Sequence, residues 1–280
     1  MAELYRIQNK RSRLFGINST LLLIILNVII FFIVLIISSF FSKITDYLAL
    51  TPSLIVQGKY LWTLITSIFV HASFAHLFFN MISLFFLGTL VEKIVGRKKF
   101  LKFYLLSGIF AGLFFALLSG FFGSGIGERI FGDSSISGAG ASGAIFGLVG
   151  VLTILIPKKK ISLILGPLIA IIFQAVFGAL LPKNSFLGIL DVLISIYVMI
   201  SIFSVISFNP RIQKIALPVE MPFWILPIVS IIPLIVIGLF VSLPIGNTAH
   251  LGGFIIGIFY GLYLKNKYKN KITYLRSYLK

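Results

Sequence analysis

The sequence predicts an all-α polytopic membrane protein with eight transmembrane segments. Three observations carry that prediction. Apolar runs of about 20 residues recur along the chain, the length a helix needs to cross ~30 Å of hydrocarbon. Hydrophobic residues make up 59% of the 280 and charged residues only 11%, with a mean hydropathy of +1.10, so there is more apolar surface than a soluble domain can bury. The basic residues also cluster in alternate loops, as the positive-inside rule expects. The alternating ~10-residue segments of a transmembrane β-barrel do not occur. With no cysteine, disulfides, thiol catalysis and cysteine-ligated metals are excluded.

The apolar segments lie at 18–42, 76–96, 101–122, 142–156, 162–181, 186–207, 222–241 and 250–266. The first is too long for the apolar region of a signal peptide, and no small-residue cleavage site follows it, so it reads as a retained helix. Before it lies a basic stretch, 1–17, with Arg6, Lys10, Arg11 and Arg13. Placing the N-terminus inside puts every other loop and the basic 267–280 tail on the cytoplasmic side. Of the 24 Lys and Arg residues, only Lys43, Lys59, Arg129 and Lys183 then fall outside. The net charge of +17 therefore marks topology in a cell membrane, with contact to anionic lipid, and predicts no nucleic-acid partner. Two outer loops stand out. Residues 43–75 carry Leu48, Leu50, Leu54, Tyr60 and Trp62, a composition that belongs in the membrane interface. Residues 123–141, rich in Gly and Ser, run into the fourth segment.

Polar residues gather at one depth. The chain has three histidines, His71, His76 and His250, all at outer helix ends. Asn80 follows His76 by four residues and shares its helix face. Ser142 opens the fourth segment within GAGASGAIFG, and His250 opens the last within AHLGG. Gly253, Gly257 and Gly261 lie on one face below His250, and Gly143, Gly147 and Gly150 follow Ser142. Small residues let membrane helices approach closely, so contact between these faces would bring Ser142 beside His250. A serine needs a neighbouring base to become a nucleophile, and imidazole suits that task. The free N–H of Ser142 at a helix start, with His76 and Asn80, could receive an oxyanion. No carboxylate is well placed as a third member, since Asp46, Glu128 and Asp133 lie in loops. Each residue alone has a plainer reading: Ser142 a cap or packing residue, His250 an interfacial helix end, His76 and Asn80 an interhelical hydrogen-bonding pair. Zinc at the histidines is a further reading, opposed by the poor helical alignment of His71 with His76 and the missing ligand set. A transporter would place its polar groups nearer the midplane.

These residues resemble the signature of the rhomboid family of intramembrane serine proteases. GASG at 140–143 is similar to the family's serine motif, with Ser142 in the nucleophile position flanked by Gly140 and Gly143. AHLGG at 249–253 is similar to its histidine motif, with His250 as base and Gly253 and Gly257 below it. HASFAHLFFN at 71–80 resembles the second-span signature, in which His76 and Asn80 would help form the oxyanion hole and His71 would order the preceding loop. Phe146 matches an aromatic that packs on the catalytic histidine, and Glu92 with Gly96 a further element at the inner end of the second span. The resemblance implies a six-helix core, no cofactor and no metal. It also implies hydrolysis of peptide bonds in or beside the transmembrane helices of membrane-protein substrates. The 222–241 span would border lateral access and the 243–249 loop would act as a cap. An inactive relative that binds membrane helices is the alternative; it would lack the serine or the histidine, and both are present.

Two departures follow. The family's Trp-Arg pair in the long outer loop is Trp62-Thr63 here, which questions how that loop is anchored. The gap between Ser142 and His250 holds about two segments more than the core needs, so 18–266 reads as one domain with an inserted pair at 162–207. Within that pair, Gln174 and Asp191 read as interhelical hydrogen-bonding partners, or Asp191 as an interfacial residue.

Overall fold

A computed structural model describes residues 18–180, 185–207, 209–240 and 246–278. The basic stretch 1–17, Lys183, Lys280 and the 243–245 part of the cap loop lie outside the described residues. The chain is mostly helical. Helix α1 is Ser19–Phe40, α2 Phe74–Val95, α3 Arg97–Phe122 and α4 Ser142–Leu155. Strand β1, Lys160–Ile164, leads to α5, Leu165–Leu180, and α6, Ser185–Ile206. Strand β2, Pro218–Pro222, leads to α7, Leu226–Phe240, then α8, Asn247–Lys267, and α9, Lys269–Tyr278. Among the described residues, α1, α2 and α3 are long and apolar enough by themselves to cross a membrane, while α4 to α7 include shorter apolar helices.

The core forms around α4. Its sequence is apolar on all sides, which suits a helix enclosed by others, and Leu148, Val151, Leu152 and Leu155 are fully buried. Helices α3 and α8 pack against it, and α2 adds Leu84 and Val91. The close contact of α4 with α8 depends on glycine. A Cβ on Gly253 would strike the carbonyl of Gly143, one on Gly257 the carbonyl of Gly147, and one on Gly261 would lie 2.9 Å from Ile154 Cβ. The backbones therefore touch along three turns, as the two glycine faces predict.

At the far end of the bundle from Ser142, Glu92 caps α1. Its carboxylate accepts from the N–H of Ser19 at 2.8 Å, and from the N–H and Oγ1 of Thr20 at 2.9 and 2.7 Å. A carboxylate at a helix N-terminus is favoured by its orphan N–H groups and by the helix dipole. Gly96, with φ of 87°, turns the chain from α2 into α3. Helix α2 contains a π-helical turn, Leu84–Gly88, that periodicity does not reveal.

The long 43–75 loop folds as short helical turns, Ile44–Leu48, Pro52–Val56 and Thr63–Thr66. It is anchored without an arginine. The Trp62 indole N–H donates to the Tyr47 carbonyl at 2.9 Å, Thr66 Oγ1 donates to the Leu48 carbonyl at 2.7 Å, and Leu50 pairs through its backbone with Gly138. Leu50 and Ile55 are buried against Phe115 and Ala116 of α3.

The apolar stretch that begins at 162 enters as a strand. Strands β1 and β2 pair antiparallel from Lys160 with Pro222 to Ile164 with Pro218, so the chain leaves and returns at one place. Helices α5 and α6 pack on each other and on the Lys214–Ala216 turn, where the Tyr197 hydroxyl donates to the Ile215 carbonyl at 3.0 Å. Gln174 and Asp191 form no hydrogen bond with each other among the described residues, and Asp191 is exposed on α6.

Candidate active site

Ser142 is the first residue of α4, with Ala141 at the N-cap position and no side-chain cap. The hydroxyl is thus free of the capping role that a serine at a helix start invites, and it turns toward α8. His250 Nε2 lies 2.9 Å from Ser142 Oγ. The Phe146 ring, one turn below Ser142, stacks on the imidazole with centroids 4.4 Å apart and planes at 18°. The imidazole is held on one face by this ring and at one edge by the hydroxyl. Its Nδ1 is buried and has no partner among the described residues.

The loop before Ser142 is held from two sides. The Gly140 N–H donates to the Ser67 carbonyl at 2.8 Å, and the Ala141 N–H donates to His71 Nε2 at 3.5 Å. Gly140 has φ of 129°, where an L side chain is strained. A Cβ there would lie 2.7 Å from His76 Cε1, 2.9 Å from His76 Nε2 and 3.7 Å from Asn80 Nδ2. The imidazole and the amide thus meet the backbone two residues before Ser142. Ser73 caps α2 by accepting from the His76 N–H at 3.2 Å, and Asn80 Nδ2 donates back to the His76 carbonyl at 3.0 Å. That bond uses one of the two amide hydrogens of Asn80. His71 and His76 pack edge to face at 5.2 Å.

Ser142, His250, His76 and Asn80 line one cavity of about 1230 Å³, which extends to Phe31 and Leu35 of α1. Asp46, Glu128 and Asp133 line it as well. Asp133 accepts from the Ser135 N–H at 2.7 Å and hydroxyl at 2.8 Å, bonds that hold its carboxyl below the usual range and keep it within its own turn. A clamp beside this cavity has no counterpart among the motif residues. Ser119 of α3 and Thr248 of α8 both donate to the Phe131 carbonyl, Thr248 at 3.4 Å. Residues Ile126–Phe131 form a short helix between Gly125 and Gly132, both at positive φ. A carbonyl acceptor has no sequence signature; the bracketing glycines were the available signal.

The architecture is that of a helical membrane protein with a serine–histidine pair enclosed near one end of its bundle. The chain belongs to the rhomboid family: residues 58–204 match the Rhomboid domain, more than half of the chain. His250 lies beyond that stretch and meets Ser142 only through the fold. The chain is 43% identical over 100 residues to Rhomboid protease GluP of Bacillus subtilis, covering 36% of this chain and 17% of that protein. It is 35% identical over 104 residues to RHOMBOID-like protein 1 of Arabidopsis thaliana, covering 37% and 23%. It is 34% identical over 100 residues to Rhomboid-like protease 1 of Toxoplasma gondii, covering 36% and 29%. The matched stretch is thus under a third of the length of each of these relatives.

Proposed function

We propose that the protein is an intramembrane serine endopeptidase that hydrolyses peptide bonds in or beside the transmembrane helices of other membrane proteins. The observation that carries this reading is the 2.9 Å contact of Ser142 Oγ with His250 Nε2 inside a cavity shared with His76 and Asn80. Ser142 Oγ attacks the scissile carbonyl carbon while His250 Nε2 takes its proton. The Ser142 N–H, the Asn80 amide and the His76 ring receive the oxyanion. His250 then gives the proton to the leaving amine. Water, activated by the same imidazole, hydrolyses the acyl-enzyme. With no carboxylate bonded to its Nδ1 among the described residues, the imidazole is oriented by Phe146 and by packing, so the pair acts as a dyad. His71 and Gly140 set the loop; Gly143, Gly253 and Gly257 bring α4 and α8 together. No cofactor or metal takes part.

Helix α4 has 14 residues, a rise of ~21 Å against ~30 Å of hydrocarbon. A helix that short, enclosed by longer ones, supports a Ser142 below the membrane surface. The distribution of basic residues supports a multi-pass cell-membrane protein with both termini cytoplasmic and the site toward the outer side. The substrates it favours are destabilised helices with small residues before the cleaved bond.

The test is cleavage of a transmembrane substrate by the purified full chain in lipid, beside Ser142→Ala and His250→Ala. Each variant should lose more than about 10⁴-fold in rate while remaining folded. Equal cleavage by all three, or fluorophosphonate labelling that survives Ser142→Ala, would overturn the reading. Absence of cleavage and labelling in the unmutated chain would favour the inactive helix-binding relative.

A further inference from the structure

At the end of the bundle opposite Ser142, two cations from different helices converge on one aromatic ring. Lys99 of α3 donates to Tyr268 Oη at 2.5 Å and lies 4.9 Å from the ring centre. Lys267 of α8 donates to Tyr263 Oη at 2.6 Å, 5.2 Å from that ring centre and 5.9 Å from the Tyr268 ring centre. An ammonium carries three donors, and each of these bonds uses one. Among the described residues no carboxylate pairs with either of them. The described acids at this end are Glu92 and Glu220. The Glu92 oxygens are taken by Ser19 and Thr20, and Glu220 pairs with Lys160 at 3.7 Å.

The surface leading from these cations toward the bilayer centre is apolar. Tyr263 stacks on Tyr260 at 6.0 Å, and Tyr260 on Phe103 of α3 at 4.4 Å and 12°. Phe259 and Leu262 stand exposed beside them on α8. Paired donors of positive charge above an exposed apolar wall match a molecule with an anionic head and an acyl tail. A soluble anion would use the donors and leave the wall bare.

We propose that Lys99, Lys267, Tyr263 and Tyr268 form a binding site for an acidic phospholipid. The phosphate sits between the two ammonium groups, and the acyl chain runs along Tyr260, Tyr263 and Phe259. The site lies between transmembrane helices, where basic pockets hold lipid headgroups. It is independent of the proteolytic reading.

The detergent-solubilised full chain is titrated with phosphatidylglycerol or phosphatidylcholine, and bound lipid is counted by native mass spectrometry. Phosphatidylglycerol should bind the unmutated chain well above phosphatidylcholine. Lys99→Ala with Lys267→Ala should weaken phosphatidylglycerol on the order of tenfold. Lys99→Arg with Lys267→Arg should retain it, and Lys158→Ala with Lys159→Ala, which removes equal charge from the same end, should leave it unchanged. If the alanine pair does not fold, Lys99→Gln with Lys267→Gln carries the same expectation. Equal binding by the neutral pair, or an equal loss in the Lys158 and Lys159 pair, overturns the site. Displacement of the lipid by inorganic phosphate at matching concentration overturns the assignment to a lipid.

Discussion

Asn80 is tied to its own helix by one amide hydrogen, which leaves the other to act in the cavity. Asn80→Ala should therefore lower kcat by about 10²-fold with little change in KM, because an oxyanion donor acts only once charge has developed. Steady-state kinetics in lipid checks this; an unchanged kcat removes Asn80 from the oxyanion role. His71 behaves differently. It is buried and accepts the Ala141 N–H, so His71→Ala should chiefly lower the thermal midpoint. The residues that carry a motif were legible in sequence, down to the aromatic at 146, whose ring faces the imidazole. The Phe131 carbonyl was not, because every residue has such an acceptor and only the fold decides which is used. The Trp62-Thr63 departure was also legible, but not its outcome. Anchoring passes to the Trp62 indole and the Thr66 hydroxyl, both bonded to carbonyls that sequence cannot nominate.

Helices α4 and α8 meet backbone to backbone, so the seam tolerates no side chain at its centre. A Cβ at Gly257 would collide with the Gly147 carbonyl, and a backbone in contact cannot yield as a side-chain tip does. Gly257→Leu should destabilise by about 3 kcal/mol or more and abolish cleavage by parting Ser142 from His250. Thermal unfolding in detergent, read beside fluorophosphonate labelling, checks this, and wild-type values in both would refute the seam. Glycines at spacings of three and four announce such a contact, so the pairing of these two helices could be read before any coordinates. The π-helical turn in α2 could not, since one extra residue per turn hardly disturbs an apolar run that faces lipid and protein alike. Nor could the ribbon of β1 and β2, whose partners lie more than 50 residues apart and are chosen by the return of α6.

Across the whole molecule, α5 and α6 differ in attachment from the helices packed around α4, although the family match at 58–204 runs across both. Helices α5 and α6 hang from a ribbon whose last pair is Ile164 with Pro218. Replacing residues 165–217 with an Asn-Gly hairpin turn should close the ribbon and leave the Ser142–His250 contact in place. Cleavage of a transmembrane substrate in lipid should persist. A folded but inactive deletion variant would show that the pair contributes to the site. That two apolar helices lie between α4 and α7 was plain from hydropathy, because lipid demands long apolar runs whatever they pack against. Their attachment was not, because such runs carry little information about neighbours.

The separation of 108 residues from Ser142 to His250 also sets a schedule. At about 5–20 residues per second, roughly 5–20 s pass between synthesis of the serine and of the histidine. On the proteolytic reading, the nascent chain is inert throughout that interval, and its own earlier helices pass through insertion beside a nucleophile with no base. On the same reading, completion of the last span brings the base to the serine, so the order of the genetic message serves as a safety delay.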